Sequence, residues 1–316
     1  MRTIRIAMAQ MNPTVGDLKG NRDRIIDYIG RAKKLGADIV AFPELAMTGY
    51  PPEDLVLKPQ FVKDNIRVLN EIRKAAKGII AVVGFIDDNE HIYDAAAVMD
   101  NGKLVYTYHK MLLPNYGVFD EYRYFKPGSR YPVIAVKGVN IGINICEDIW
   151  FADGPARLQS LAGAEVIVSL NASPYHKGKG MERVRMLSLR AKENNVYVVY
   201  ANMVGGQDEL VFDGQSMVID RYGELLALGK QFEEELITLD LRLPGKPRPT
   251  PNSRQEVPNT ARPAMMVAFR PKRSARKPRP MAAIEIPAIV AYWNEPAAVM
   301  PRPNWRITCG MITPTE

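Results

Sequence analysis

Three side chains with complementary chemistry stand at the same kind of place in this chain, each just after an apolar, strand-forming run. Cys146 closes VNIGINICEDIW, where an alternating run meets an acidic pair and an aromatic. A thiol at a strand end followed by a turn can meet a reactant while the next backbone N–H groups point at the same reacting atom. Glu44 follows a second strand end in IVAFPELAMTGYPPEDL, directly after Pro43 and beside apolar Phe42, Leu45 and Met47. That setting suits a general base that must later return its proton. Lys110 follows a third, in YTYHKMLLPNYGVFDEYRYFKPG, among aromatics. A desolvated ammonium is costly unless it faces an anion, so it can hold an oxyanion. Taken singly, each has an ordinary reading: a buried structural cysteine, a solvated loop carboxylate or helix cap, an edge-strand charge. Taken together they make a nucleophile, a base and an oxyanion holder, because one edge of a sheet collects such strand ends.

The elements that must position them follow from period. Ile4, Ile6, Met8 and Gln10 alternate with Arg5, Ala7 and Ala9 in a first strand. Residues 21–35 place Ile25, Ile29 and Ala32 on one helical face, Gly36 stops that helix, and ADIVAF reads as a buried strand. A helix over 61–77 and a strand over 79–86 follow. Asn101-Gly102 and Lys137-Gly138 each separate two apolar runs, which predicts hairpins. Then come a helix over 157–162, a strand over 165–170, a helix over 181–194, a strand over 196–201, and closing strands within 212–228 around Tyr222-Gly223. This order, β-α-β, hairpins, β-α-β, hairpin, predicts an α/β fold: a two-sheet sandwich flanked by helices, with a pseudo-repeat of its halves.

Composition narrows the classes. The chain has 316 residues, 47% apolar and 24% charged, enough for a sizeable core. No apolar run reaches membrane-spanning length, and MRTIRIAMAQ reads as a strand rather than a signal peptide, so a cytoplasmic, non-membrane protein is expected. With only two cysteines, Cys146 and Cys309, no disulfide framework is expected. The net charge of +7 invites a nucleic-acid reading, but residues 246–316 hold 12 Lys/Arg against 4 Asp/Glu while residues 1–245 hold 30 against 31. The basic excess is confined to a tail that also carries 13 of the 24 prolines. Proline removes donors and fixes φ, so this Pro/Arg-rich irregular tail is expected to be disordered, and nucleic-acid binding by it is not expected, since prolines stand in place of an interleaved aromatic pattern. His91, His109 and His176 show no ligand spacing, and no metal is implied.

The blocks FPELAMTGY, YHKMLLPNYGVFDEYRYFKPG and GINICEDIW resemble the glutamate, lysine and cysteine motifs of the nitrilase, or carbon–nitrogen hydrolase, family. GYPPEDL, LPNYGVFDEYRYF, CEDIW and LNASPYHKGKGMER narrow the resemblance to the N-terminal glutaminase domain of glutamine-dependent NAD(+) synthetases, over residues 1–245. The resemblance implies a nitrilase-like α-β-β-α sandwich acting on L-glutamine. Glu44 would be the base, Cys146 the nucleophile, and Lys110 with the N–H of Glu147 the oxyanion holder. Glu121 would support Lys110, and Tyr116, Glu147, Ser173 and Lys179 would hold substrate. It implies no cofactor for the amidase chemistry, and homo-oligomers as a family habit.

A synthetase of this kind also has a glycine-rich SGGxDS loop for pyrophosphate. No such stretch occurs here, so ATP, magnesium and deamido-NAD sites are expected to be absent, with a synthetase domain or subunit possible only in trans. The Arg/Pro/Ala bias of 246–316 looks like a GC-rich gene read in the wrong frame, which the downstream nucleotide sequence would test. Two alternatives stay open: a stand-alone amidase for another small carboxamide, and a non-enzymatic binding protein using the basic tail.

Overall fold

A computed structural model describes residues 1–245. The tail expected to be disordered, 246–316, lies outside the described residues. In chain order the strands and helices are β1 (Arg2–Gln10), α1 (Leu18–Lys34), β2 (Ile39–Ala41), α2 (Pro59–Ala75), β3 (Ile80–Asn89), β4 (His91–Asp100), β5 (Lys103–His109), β6 (Val133–Val136), β7 (Val139–Ile145), α3 (Pro155–Leu161), β8 (Val166–Asn171), α4 (Lys179–Asn194), β9 (Tyr197–Asn202), β10 (Val204–Gln207), β11 (Leu210–Asp213), β12 (Met217–Ile219), β13 (Leu225–Leu228) and β14 (Glu235–Leu243).

They form two six-stranded mixed sheets, ordered β14-β1-β2-β3-β4-β5 and β13-β12-β9-β8-β7-β6, with β10 and β11 as a separate ribbon. Strands β1, β2 and β3 run parallel, as do β7, β8 and β9. The pseudo-repeat is therefore a β-α-β-α-β unit used twice, β1 to β3 and β7 to β9. Ile4, Ile6 and Met8 share one apolar cluster with Ile141, Ile143 and Val168, so the sheets pack face to face. Ala7 and Ala9, on the other face of β1, join Ile25, Ile29 and Ala32 of α1 and Val68 and Ile72 of α2. On the outer face of the second sheet, Ile167 and Val198 pack with Ala156 of α3 and Leu187 and Ala191 of α4. Central strands are thus buried on both faces, which is why β1 carries apolar residues at successive positions from Ile6 to Ala9 rather than alternating throughout. Each fully buried aliphatic chain contributes about 1.5–3 kcal/mol.

The turns follow residue chemistry. The Asp17 carboxylate caps α1 by accepting the Gly20 N–H at 2.8 Å, and Gly36 (φ +71°) ends it. Asn101 and Gly102 (φ +49° and +80°) make the predicted β4–β5 hairpin, and Lys137-Gly138 (φ +48° and +76°) joins β6 to β7. One expectation is corrected. Strands do not close at residue 228, because β14 follows and pairs antiparallel with β1 along all nine residues, Arg2 facing Leu243 and Gln10 facing Glu235.

Candidate active site

Sheet direction decides where the chemistry collects. Strand β4 runs antiparallel to both β3 and β5, so β5 points the same way as β2 and β3. Glu44, just after β2, and Lys110, just after β5, therefore leave the first sheet at one edge. Cys146 leaves β7 and Ala172 leaves β8 at the corresponding edge of the second sheet, where those strands are parallel.

At that edge the Lys110 ammonium lies 2.6 Å from Glu44 Oε1 and 2.8 and 2.7 Å from the two oxygens of Glu121. All three side chains are buried. The second oxygen of Glu44 accepts the Ala172 N–H at 2.8 Å, and Glu121 Oε1 also accepts the Tyr50 hydroxyl at 2.8 Å. A further buried acid, Asp94 on β4, has Oδ2 3.6 Å from Nζ and accepts the Lys110 N–H on its backbone oxygen at 2.9 Å. Oxygens of Glu44, Asp94 and Glu121 lie within 4.8 Å of one another, a set that could hold a metal ion, but the cationic group among them is Nζ itself.

Electrostatics follow from burial. Desolvation alone favours neutral Lys110, yet Glu121, Glu44 and Asp94 outweigh it and hold the ammonium well above the ordinary lysine range. Burial pushes the Glu121 carboxyl up to about 7 against the opposing pull of Lys110. Burial and then Glu44 push the Cys146 thiol up, with Lys110 opposing, so the resting sulfur is a thiol that needs a base.

Cys146 itself stands at φ +43°, in the left-handed region, at the first residue of a 3-10 turn spanning Cys146–Ile149. Asp148 in that turn ties the cysteine and lysine segments together. Its carboxylate accepts the N–H groups of Ile145 (3.0 Å), Met111 (3.1 Å) and Leu112 (2.9 Å) and the Tyr108 hydroxyl (2.7 Å). Two glycines allow close approach. A Cβ on Gly84 would lie 2.4 Å from both Leu45 N and Pro43 O, and one on Gly128 would lie 2.3 Å from His109 O.

At the mouth the Tyr116 hydroxyl donates to the Glu147 carboxylate, 2.9 and 3.0 Å from its oxygens, with Tyr116 exposed and Glu147 buried. Lys179 Nζ sits 4.0 Å over the Trp150 ring and 3.2 Å from Glu182, close enough to Glu147 to favour its ionised form. The Ser173 hydroxyl is turned toward buried Arg183, whose Nε donates to it at 3.1 Å and whose Nη1 lies 2.7 Å from Asp213. His109 ends β5, stacked on Tyr93 with Nε2 2.7 Å from Asp87, as a strand residue would.

The structure thus gathers Glu44, Lys110, Glu121 and Cys146, with Tyr116, Glu147 and Lys179 around them and Ser173 beside Ala172. Sequence reasoning passed over Asp94, Asp148, Tyr50, Arg183 and Gly84. Asp94 had a signal, an acid inside the apolar run IYDAAAVM.

Residues 5–245 match the carbon–nitrogen hydrolase family. This chain belongs to the carbon–nitrogen hydrolases. It is therefore a hydrolase of carbon–nitrogen bonds, and its relatives refine the company it keeps. It is 47% identical over 246 residues to a glutamine-dependent NAD(+) synthetase of Thermotoga maritima, covering 77% of this chain and 43% of that protein. It is 45% identical over 242 residues to the corresponding protein of Aquifex aeolicus, covering 76% and 42%. The chain thus spans less than half the length of these relatives. Among solved structures, the glutamine-dependent NAD+ synthetase of Acinetobacter baumannii superposes with a TM-score of 0.74 at 37% identity, over 76% of this hydrolase and 46% of that chain. An amidase from Nesterenkonia sp. AN1, with the acetamide moiety of fluoroacetamide on its active-site cysteine, superposes with a TM-score of 0.69 at 28% identity, over 75% and 90%. These likenesses give the hydrolase a nitrilase-like α/β fold. No helix among the described residues is long and apolar enough to cross a membrane.

Proposed function

We propose that this carbon–nitrogen hydrolase cleaves the side-chain amide of glutamine to glutamate and ammonia through a Cys146 thioester. The observation that carries the reading is one ammonium held between two buried carboxylates, Glu44 and Glu121, in electrostatic reach of a thiol at a left-handed strand end. Glu44 takes the thiol proton and Sγ attacks the amide carbon. The resulting oxyanion is held by Lys110 and the Glu147 N–H. Ammonia leaves with the proton that Glu44 returns. Water, deprotonated by Glu44, then attacks the thioester carbon, and glutamate leaves as the proton goes back to sulfur. Glu121 holds Lys110 in place. The Glu147 carboxylate, buried at the mouth under Tyr116, suits the α-ammonium of an amino-acid amide, and Ser173 and Lys179 complete the substrate site. The likeness to glutamine-dependent NAD(+) synthetases supports glutamine. In that setting the ammonia serves a synthetase active site, and the hydrolase step itself uses no cofactor.

A stand-alone amidase for another small carboxamide is the second reading, favoured by the Nesterenkonia amidase, 90% of which the superposition covers. Ammonia release from glutamine by the full chain, beside Cys146→Ala and Glu44→Gln, tests the first. Activity in the parent chain and loss of about 100-fold or more in both variants is expected. Turnover of simple carboxamides without glutamine would favour the second reading.

A further inference from the structure

Asp94 is buried within the same cluster, and no donor reaches either of its carboxyl oxygens; its side-chain hydrogen bond is with another acid, Glu44, and needs a proton between them. The other two acids each have donors, although Oε2 of Glu121 also makes no hydrogen bond. Glu44 accepts from Nζ and the Ala172 N–H, and Glu121 from Nζ and the Tyr50 hydroxyl. Donors stabilise an ionised carboxylate and burial without donors does not, so Asp94 keeps its proton to higher pH than Glu121 does. Burial, reinforced by Glu44, accordingly holds its carboxyl well above the usual carboxylate range.

The ammonium of Lys110 has three N–H groups. Glu44 and Glu121 engage two of them, which leaves one for an oxyanion formed on Cys146. Asp94 Oδ2, 3.6 Å from Nζ, is placed to claim that third donor once it is charged. We propose that Asp94 is a positioning residue of this site, which stays a neutral acid while Glu44 acts as base and so leaves the third Lys110 N–H free for the substrate oxyanion. The groups facing it are Glu44 after β2, Lys110 after β5 and Glu121, with Tyr50 behind Glu121 and Cys146 beyond Lys110. Ionisation of Asp94 at alkaline pH adds a negative charge beside Lys110, draws the ammonium away from the oxyanion position and makes the thiolate harder to form.

The proposal rests on the Cys146 hydrolase reading, so its test includes a readout that needs no glutamine. The full chain, Asp94→Asn and Asp94→Ala are alkylated with iodoacetamide between pH 6 and pH 10, and the rate at the Cys146 peptide is followed by mass spectrometry. The ratio of the Asp94→Asn rate to the parent rate is expected to rise about tenfold from neutral to alkaline pH, the effect of one removed charge worth about one pKa unit. The same ratio for ammonia release from glutamine should rise with it. A flat or falling alkylation ratio overturns the proposal. A rising alkylation ratio without glutamine hydrolysis leaves Asp94 in its role and removes glutamine as substrate. Should Asp94→Asn not fold, Asp94→Ala, which also lacks the titrating group, must show the same alkaline rise. Thermal melting gives an independent check. The parent must hold a proton on Asp94 that the unfolded chain releases above the ordinary carboxylate range, so Asp94→Asn should melt at least about 3 °C higher than the parent at pH 8 and lose that advantage at pH 4. A variant that is less stable at pH 8 contradicts a neutral Asp94.

Discussion

The carboxylate of Glu44, which follows β2 of the first sheet, accepts the backbone N–H of Ala172, which follows β8 of the second, at 2.8 Å. One side chain therefore bonds across the two halves of the fold while its other oxygen meets Lys110. Replacing it by glutamine leaves a carbonyl that can accept from one of these donors and an NH2 group that opposes the other. Glu44→Gln is expected to lose about 1–3 kcal/mol of stability in urea denaturation at pH 7.5, separately from its loss of activity. Parent-like stability would mean that both donors find other acceptors.

Lys110 is the counter-ion for buried Glu44 and Glu121. Lys110→Met should abolish turnover and cost about 3–5 kcal/mol at pH 7.5. The deficit should shrink toward pH 4.5, where the stranded carboxyls of the folded chain are protonated and those of the unfolded chain begin to be. Urea titrations at the two pH values check this, and a deficit independent of pH would count against the charge argument.

Glu121, pushed up to about 7, holds a proton in the folded state that the unfolded chain has released above the ordinary glutamate range. The folded state thus binds more protons between about pH 4.5 and pH 7, and stability falls as pH rises through that window, levelling for this group above it. Glu121→Gln carries no titrating proton there. Its stability should decline less than the parent's between pH 5 and pH 7.5, measured by denaturant midpoint with the m-value held constant.

Gly84 presses against the turn that carries Glu44. In Gly84→Ala the new methyl would sit 2.4 Å from Leu45 N and Pro43 O, so the turn must move. A stability loss of about 1–3 kcal/mol is expected from overpacking. A shift of the base by about 1 Å should lower kcat by about 100-fold. Melting and ammonia release report the two effects, and a variant matching the parent in both would show that the turn adapts freely.

The Glu147 carboxylate, bonded to Tyr116 at the mouth, is the group proposed to read the substrate's α-ammonium. Glu147→Gln should lower kcat/KM for glutamine by about 10- to 100-fold, the cost of about 1.5–3 kcal/mol for a charge-assisted hydrogen bond. A carboxamide without an α-amino group should be hydrolysed with kcat/KM little altered. Equal losses on both substrates would place Glu147 in the chemistry rather than in recognition.

Much of this was legible locally. Asn101-Gly102 and Lys137-Gly138 are turns because their residues tolerate positive φ, and Gly36 stops α1 for the same reason. The helices at Ile25 and Leu187 bury the faces that their period of 3.6 assigns. Strand β14 alternates Ile237, Leu239, Leu241 and Leu243, but its pairing with β1 joins residues more than 200 positions apart, and nothing local encodes that partner. Asp94 was visible as an acid in an apolar strand, yet its meaning depends on which atoms face it.

The amino-acid sequence by itself determined that Glu44, Lys110 and Cys146 each end a strand, since apolar alternation and the turn residues after it are properties of a few consecutive positions. Only the tertiary structure decided that these ends meet. The antiparallel course of β4 returns β5 to the edge where β2 ends, and face-to-face packing of the sheets brings Ala172 to Glu44. The pairing of β4 with β5 sets Asp94 3.6 Å from Lys110 without a donor of its own. Strand ends are local, whereas the charge balance of a buried site depends on distances between segments far apart in the chain, and register and sheet packing set those distances.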